Sequence, residues 1–194
     1  MRLLIFCFLL FGTILLHAQQ RIVLANGQLL VNDNPISVKT NQQLLDQAMN
    51  TKSVNRYITS TYNPSTNSID PTNYYQILYK ESAIAFRLSS PEKEIEEIVI
   101  KLQMEPLFDL PKRLQKRTYP LYQGEIRIGN ALLNRQVTTE NVHTLFDPKD
   151  IISIEVKCIG NHPVPYMLVR HQDWLVELVF CITSNQLKTV VLKH

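Results

Sequence analysis

Glycine is scarce in this sequence, with 5 residues among 194. No glycine-rich loop of the kind that cradles phosphate groups is present, because such loops need several glycines close together. The Gly-x-Ser-x-Gly turn that exposes a nucleophilic serine is also missing. The sequence therefore predicts no catalytic residues, no cofactor-binding residues and no enzymatic activity.

The sequence also lacks a strong excess of charge of one sign. Its 20 basic and 17 acidic residues leave a formal net charge of +3, which is too small to indicate nucleic-acid binding. After the first 18 residues, no apolar run approaches the roughly 20 residues that a membrane-spanning helix needs. We therefore expect neither a nucleic-acid partner nor a transmembrane span in the mature chain.

Cysteine is rare, and only Cys158 and Cys181 lie beyond the N-terminal apolar run. With His162 and His171 they make four potential metal ligands, but the spacing is looser than the close ligand pairs of zinc sites. The strand pattern also places the two cysteines on opposite faces of a sheet. We predict no metal site. Two alternatives stay open for the cysteines: a disulfide, which requires close approach, or two separate buried thiols.

The first 18 residues have the order of an export signal. Arg2 precedes an apolar run over residues 3–16, and Ala18 stands before two glutamines. This run is too short to cross a bilayer as a helix, but it matches the apolar centre of a cleaved signal peptide. We predict a signal peptide at residues 1–18 and export to the periplasm or cell surface of a Gram-negative bacterium. A retained membrane anchor is the alternative.

The mature chain contains two stretches with the same order of local signals. We predict a first unit at residues 19–102, a proline-rich connector at 103–122 that cannot form a long helix, and a second unit at 123–194. Each unit is expected to be a short helix packed on an antiparallel sheet, so the predicted fold class is α+β. Chance similarity of the two stretches is the alternative to an internal repeat.

Local signals predict a hairpin and a helix in each unit. The Asn26-Gly27 pair lies between apolar runs and favours a tight hairpin, since both residues tolerate positive φ. Thr40 is expected to cap the first helix, and Thr138 or Thr139 to start the second. The apolar stripes of these helices comprise Leu44, Leu45, Ala48 and Met49 in the first and Val142, Leu145 and Phe146 in the second.

Alternation with a period of two predicts the strands and their buried faces. Residues 95–102 and 187–194 have the same pattern of inward and outward positions. In residues 151–159, the apolar row is Ile152, Ile154, Val156 and Cys158, and the other row is Ser153, Glu155 and Lys157. By contrast, the composition of residues 63–73 predicts a loop.

The stretch at the start of the second unit resembles a known pattern. Tyr122, Gly124, Ile126, Ile128 and Gly129 are similar to the strand and turn of a domain-of-unknown-function family of exported bacterial proteins, with Tyr122 in place of phenylalanine. The doubled order of helix and antiparallel strands resembles the β-lactamase-inhibitor protein and the small outer-membrane assembly lipoproteins. The resemblance to the inhibitor protein implies binding to other proteins, and the resemblance to the exported family supplies no catalytic residues.

Two groups of residues are candidate partner surfaces. Leu175 and Val179 lie in an outward row whose counterpart in the first unit is small and polar, so either the other unit covers them or they contact a partner. The connector contains four basic residues, which suit an anionic lipid or an acidic protein patch, or else a solvated linker. These four are Lys112, Arg113, Lys116 and Arg117. The glutamates at 92, 94, 96 and 97 are expected to form a solvated rim.

These features together favour a non-enzymatic protein-binding or envelope-associated module, with an envelope protein as its partner. An envelope hydrolase or carbohydrate-handling protein is the alternative. A deep pocket that gathers polar side chains from both units would favour the alternative. A continuous exposed sheet surface would favour binding.

Overall fold

A computed structural model describes residues 20–63, 68–91, 93–103, 121–159 and 162–194 of the chain. In this part the chain forms two β-sheets, one α-helix and two 3-10 turns. The predicted signal peptide lies outside the described residues, as does most of the predicted connector. No helix in the described ranges is both long and apolar enough to span a membrane.

The strands in chain order are β1 (Arg21–Ala25), β2 (Gln28–Val31), β3 (Asn34–Ile36), β4 (Val54–Asn63), β5 (Ser68–Tyr79), β6 (Ile84–Leu88), β7 (Ile95–Lys101), β8 (Glu125–Ile128), β9 (Ala131–Leu133), β10 (Ile151–Ile159), β11 (His162–His171), β12 (Trp174–Phe180) and β13 (Leu187–Lys193). The helix α1 (Gln42–Met49) lies between β3 and β4. The 3-10 turns, Val142–Thr144 and Pro148–Asp150, lie between β9 and β10.

The smaller sheet has five strands in the order β3-β2-β1-β8-β9. Its first hairpin turns at Asn26 and Gly27, whose φ angles are 52° and 75°, and Ala25 pairs with Gln28 across the turn. The hairpin prediction is therefore confirmed. In the middle of the sheet β1 and β8 run parallel, so this sheet contains strands from both predicted units.

The larger sheet has eight antiparallel strands in the order β10-β11-β12-β13-β7-β6-β5-β4. Two four-strand meanders, β4–β7 and β10–β13, meet at its centre, where Val99 lies opposite Val191. The sheet therefore crosses from one predicted unit to the other without a break. Among the described residues, β4 and β10 are the two strands at its open edges.

The hydrophobic core lies between the two sheets and beneath α1. One side of each central strand of the large sheet faces the small sheet and is fully buried, which excludes water from a continuous apolar cluster. Trp174 links the sheets by donating a hydrogen bond of 3.4 Å to the Gly27 carbonyl. The cluster includes Ile22, Leu24, Ile126 and Ile128 from the small sheet and Phe86, Ile98, Ile100, Val176, Leu178 and Leu192 from the large one.

The predicted fold class, α+β with two units that each carry a helix on a sheet, is wrong. The described chain is mostly β, and α1 is its only α-helix. The second predicted helix is replaced by the two 3-10 turns because its expected first residues pair with a distant segment. Thr138 forms a β-bridge with Gln186, and the Thr139 N–H donates to the Asn185 carbonyl. Pro148 then limits any continuation.

The helix α1 begins one residue later than predicted. Asn41 is its N-cap and accepts a hydrogen bond from the Leu44 N–H, while the Thr40 hydroxyl accepts from the Ser37 N–H. Leu45, Ala48 and Met49 are buried as expected.

The loop predicted at residues 63–73 is wrong for residues 63 and 68–73, because β4 extends to Asn63 and β5 begins at Ser68. Residues 64–67 lie outside the described residues. Pro71 of β5 pairs with Ser60, next to a register irregularity in the edge strand β4, where a missing N–H is tolerated.

Candidate functional site

The strand β10 is an open edge of the larger sheet. It pairs with β11, and no other strand in the described ranges pairs with it. Backbone N–H and C=O groups on the free side of an edge strand can pair with a further strand. Ile152, Ile154 and Val156 on β10 are 46%, 67% and 63% exposed. The edge therefore combines free hydrogen-bonding groups with exposed branched apolar side chains.

The core ends between β11 and β10. Ile154 lies directly opposite Met167 on β11, and adjacent cross-strand side chains share one face of a sheet. Met167 is 2% exposed and belongs to the core cluster, whereas Ile154 is mostly in solvent. The small sheet has five strands against eight, and strands are about 4.8 Å apart, so it cannot cover the full width of the large sheet.

The exposure of this row corrects the sequence prediction. The apolar side of residues 151–159 was expected to be buried, and Ile154 and Val156 are exposed instead. Alternation of apolar and polar residues looks the same in a central strand and in an edge strand that extends past the core. No local signal in the sequence distinguishes the two cases.

The opposite edge of the same sheet, β4, offers a natural comparison. Val54 and Tyr57 are exposed there, and the charged Arg56 between them is exposed as well. Both edge strands therefore carry charged residues. They differ in their exposed aliphatic side chains, because β10 exposes three and β4 exposes only Val54 among the side chains that the structure describes.

A row of ion pairs crosses the large sheet on the face opposite the core. Arg87 on β6 bonds Glu97 on β7 at 2.8 Å. Lys193 on β13 lies 3.1 Å from Glu97 and 2.6 Å from Glu177 on β12. These half-buried charges join four neighbouring strands, so each carboxylate has a cation within bonding distance.

The pKa values of this row follow from the pairing. Burial raises the pKa of Glu97, but hydrogen bonds and charges from Lys193 and Arg87 outweigh it, and the net pKa is lowered. Burial lowers the pKa of Lys193, and the bonds to Glu177 and Glu97 reverse this to a net rise. Burial and the nearby Glu177 raise the pKa of Tyr166. The charged forms of Glu97 and Lys193 are thus both stabilised, as in a structural ion pair.

The structure places the predicted partner residues Leu175 and Val179 on the same outer face, both half-buried and on either side of Glu177. Their role as a partner surface stays a prediction. The row of the first unit with which they were compared contains Ala83 and Ala85. This row was expected to face water, but both alanines are buried, so that expectation is wrong. The predicted basic patch of Lys112, Arg113, Lys116 and Arg117 lies outside the described residues.

Cys181 has a free, buried thiol, with its Sγ 3.2 Å from the Thr183 hydroxyl oxygen. Burial raises the pKa of this thiol, but hydrogen bonds from Ser184 and Thr183 bring the net pKa below its ordinary value. The side chains of Cys158 and His162 lie outside the described part. Within that part, no three His, Cys, Asp or Glu side chains are grouped closely enough to hold a metal ion.

One depression, of about 550 Å³, contains the kinds of side chain that a hydrolase would use. Its lining includes Ser89, Glu94 and His194. Glu94 is paired with Lys39 at 3.7 Å, and the His194 ring packs edge-on against Trp174, 5.0 Å between centroids. No hydrogen bond links Ser89 to His194 among the described residues, so the depression has no preformed nucleophile–base pair of the kind expected for covalent catalysis.

No protein-family model, curated protein or solved structure matches this chain. The resemblance drawn from Tyr122, Gly124, Ile126, Ile128 and Gly129 therefore stays a prediction.

Proposed function

We propose that the mature protein is a non-enzymatic binding module of the bacterial envelope that pairs an extended segment of a partner protein with β10. The exposure of Ile154 and Val156 on an open edge strand carries this proposal. Single apolar residues on a surface are ordinary. Three of them on one edge strand form a surface of the kind that partners bind.

Strand addition explains how such a surface would bind. Backbone hydrogen bonds between β10 and the incoming strand supply affinity, and alternate side chains supply specificity. Ile154 and Val156 would be covered by the partner, and full burial of such a side chain contributes about 1.5–3 kcal/mol. Part of that gain is offset by the cost of ordering the partner segment.

The test compares two double variants with matched chemistry on the two open edges. Ile154→Lys with Val156→Lys changes β10, and Val54→Lys with Tyr57→Lys changes β4. All four residues are exposed, so both variants are expected to fold as the wild type does, within about 0.5 kcal/mol per substitution. Each immobilised mature protein is incubated with envelope extract, and retained proteins, including the chain itself, are identified by mass spectrometry.

The expected result is a protein retained by the wild type and by the β4 variant but lost from the β10 variant. Circular dichroism and thermal unfolding verify that each variant is folded. Retention by the β10 variant at the level of the wild type would show that β10 is not the binding edge. Equal loss from both variants would show that apolar exposure at either edge matters, which contradicts a specific role for β10.

A further inference from the structure

We infer that the strand that pairs with β10 is β10 of a second copy of this chain, antiparallel and centred on Val156. This inference rests on the proposed function and names its partner. An interface of this kind is isologous, because the same strand contributes from both subunits. It would continue the alternating strand directions of the eight-stranded sheet.

The charge pattern of β10 is its own complement in this register. Antiparallel pairing about Val156 places position 155 of one copy opposite position 157 of the other, twice. The sequence has Glu155 and Lys157 at these positions, so residues of opposite charge stand at opposed positions twice, which favours this register. In the same register, position 154 lies opposite position 158 of the second copy, and position 156 lies opposite position 156. The apolar row of one copy therefore lies opposite the apolar row of the other.

Neighbouring registers are less favourable. Centring the pair on residue 155 places Glu155 opposite itself, and centring it on residue 157 does the same for Lys157. Like charges directly opposite each other destabilise a strand pair. The charge pattern therefore selects Val156 as the centre among these registers.

The backbone geometry of β10 gives the same centre independently. A register irregularity lies between Ile151 and Ser153, and from Ser153 to Ile159 the strand pairs regularly with β11. Residue 156 is the midpoint of this regular stretch. A partner strand centred there meets β10 along its full straight length and avoids the irregular end.

The other open edge lacks this property. In β4, residues 54–63, Arg56 is the one charged residue, so no antiparallel pairing of β4 with itself brings opposite charges together. The self-complementary pattern distinguishes β10 from β4, and it favours a second copy over an unrelated strand at β10.

Sedimentation velocity over a range of protein concentrations tests the inference by charge reversal. The wild-type mature chain is expected to form a dimer as its concentration rises. Glu155→Lys and Lys157→Glu each turn two attractive pairs into two repulsive ones, so each should weaken dimerisation by about tenfold or more. The variant with both substitutions restores opposite charges and should recover the wild-type dimer. An equimolar mixture of the two single variants should form a heterodimer.

The outcomes separate this inference from the proposed function. A wild type that stays monomeric at every concentration overturns the second-copy partner. If Ile154→Lys with Val156→Lys still abolishes capture from extract in that case, the binding edge stands with another partner. If Glu155→Lys and Lys157→Glu both dimerise as strongly as the wild type, the register centred on Val156 is wrong. Loss of the dimer in the β4 variant Val54→Lys with Tyr57→Lys would overturn the placement at β10.

Discussion

Tyr79 on β5 donates a hydrogen bond of 2.7 Å to the Asp46 carboxylate on α1. The same carboxylate oxygen accepts a bond of 3.1 Å from the Ser53 N–H, just before β4. Burial raises the pKa of Tyr79 far above its ordinary value, and Asp46 adds to the rise, so the phenol remains a donor. This pair fastens the one described α-helix to the large sheet.

Tyr79→Phe should therefore destabilise the protein by about 1–2 kcal/mol, because a buried donor to a charged acceptor is lost. The change would be measured as a shift of the urea unfolding midpoint at constant slope. Tyr57→Phe, which alters an exposed ring, serves as the control and should change little. Equal effects of the two substitutions would show that the bond to Asp46 contributes nothing.

The ion-pair row predicts a defined dependence of stability on pH. The folded-state pKa of Glu97 is lowered, so its contribution is present above the unfolded pKa of about 4.3 and is lost as pH falls through the folded value. The pKa of Lys193 is raised, so its contribution is present below about 10.4 and is lost as pH rises through the folded value. Between these limits both Glu97 and Lys193 contribute to stability.

Lys193→Gln should lower stability at pH 7 by about 0.5–1 kcal/mol, since the pairs are partly exposed and screened by solvent. It should also reduce both the alkaline loss and the acid loss of stability that are expected for the wild type. Urea unfolding at several pH values between 3 and 11 would measure both effects. Lys39→Gln breaks an exposed pair with Glu94 and should leave the profile unchanged; a wild-type profile identical to that of Lys193→Gln would refute the account of the row.

The sequence predicted correctly those parts of the fold that depend on neighbouring residues alone, such as the first hairpin turn. Asn26 and Gly27 form the hairpin turn because their positive φ angles depend on these two residues alone. The second helix failed for the opposite reason. Thr138 bridges to Gln186, a partner 48 positions away in the sequence that the helical pattern of residues 138–146 could not reveal. Tertiary pairing overrides a short helix signal because an isolated helix of that length is unstable.

Gly124 occupies a place where only glycine fits. A Cβ there would overlap the backbone carbonyl oxygen of Gln20 and the hydroxyl of Tyr122. That hydroxyl shares its one hydrogen between the carbonyls of Gln20 and Glu125, at 2.9 and 3.0 Å, and this fixes the start of β8. Gly124→Ala should therefore cost about 2–3 kcal/mol, as overpacking does when the backbone cannot move.

Thermal unfolding of Gly124→Ala beside Gln123→Ala, a change at the exposed neighbouring residue, would test this expectation. Wild-type stability in Gly124→Ala would mean that the entry to β8 is not tightly packed.

The candidate site was harder to foresee than the fold. The sequence correctly predicted that Ile152, Ile154 and Val156 lie on one side of β10. It wrongly predicted that this side is buried. Whether Ile154 is covered depends on the number of strands in the facing sheet, which is a property of the whole chain. The predicted partner residues Leu175 and Val179 lie on the other face of the same large sheet, half-buried among the ion pairs. Their role remains a prediction.

Photo-crosslinking tests the binding role of β10 most directly. A photoreactive phenylalanine analogue replaces Ile154 in one sample and Tyr57 on the opposite edge in another, and cells that export each protein are illuminated. The proposal predicts an adduct from position 154 and none from position 57, and an adduct with twice the mass of the chain would identify a second copy. No adduct from position 154, or equal adducts from both positions, would contradict it.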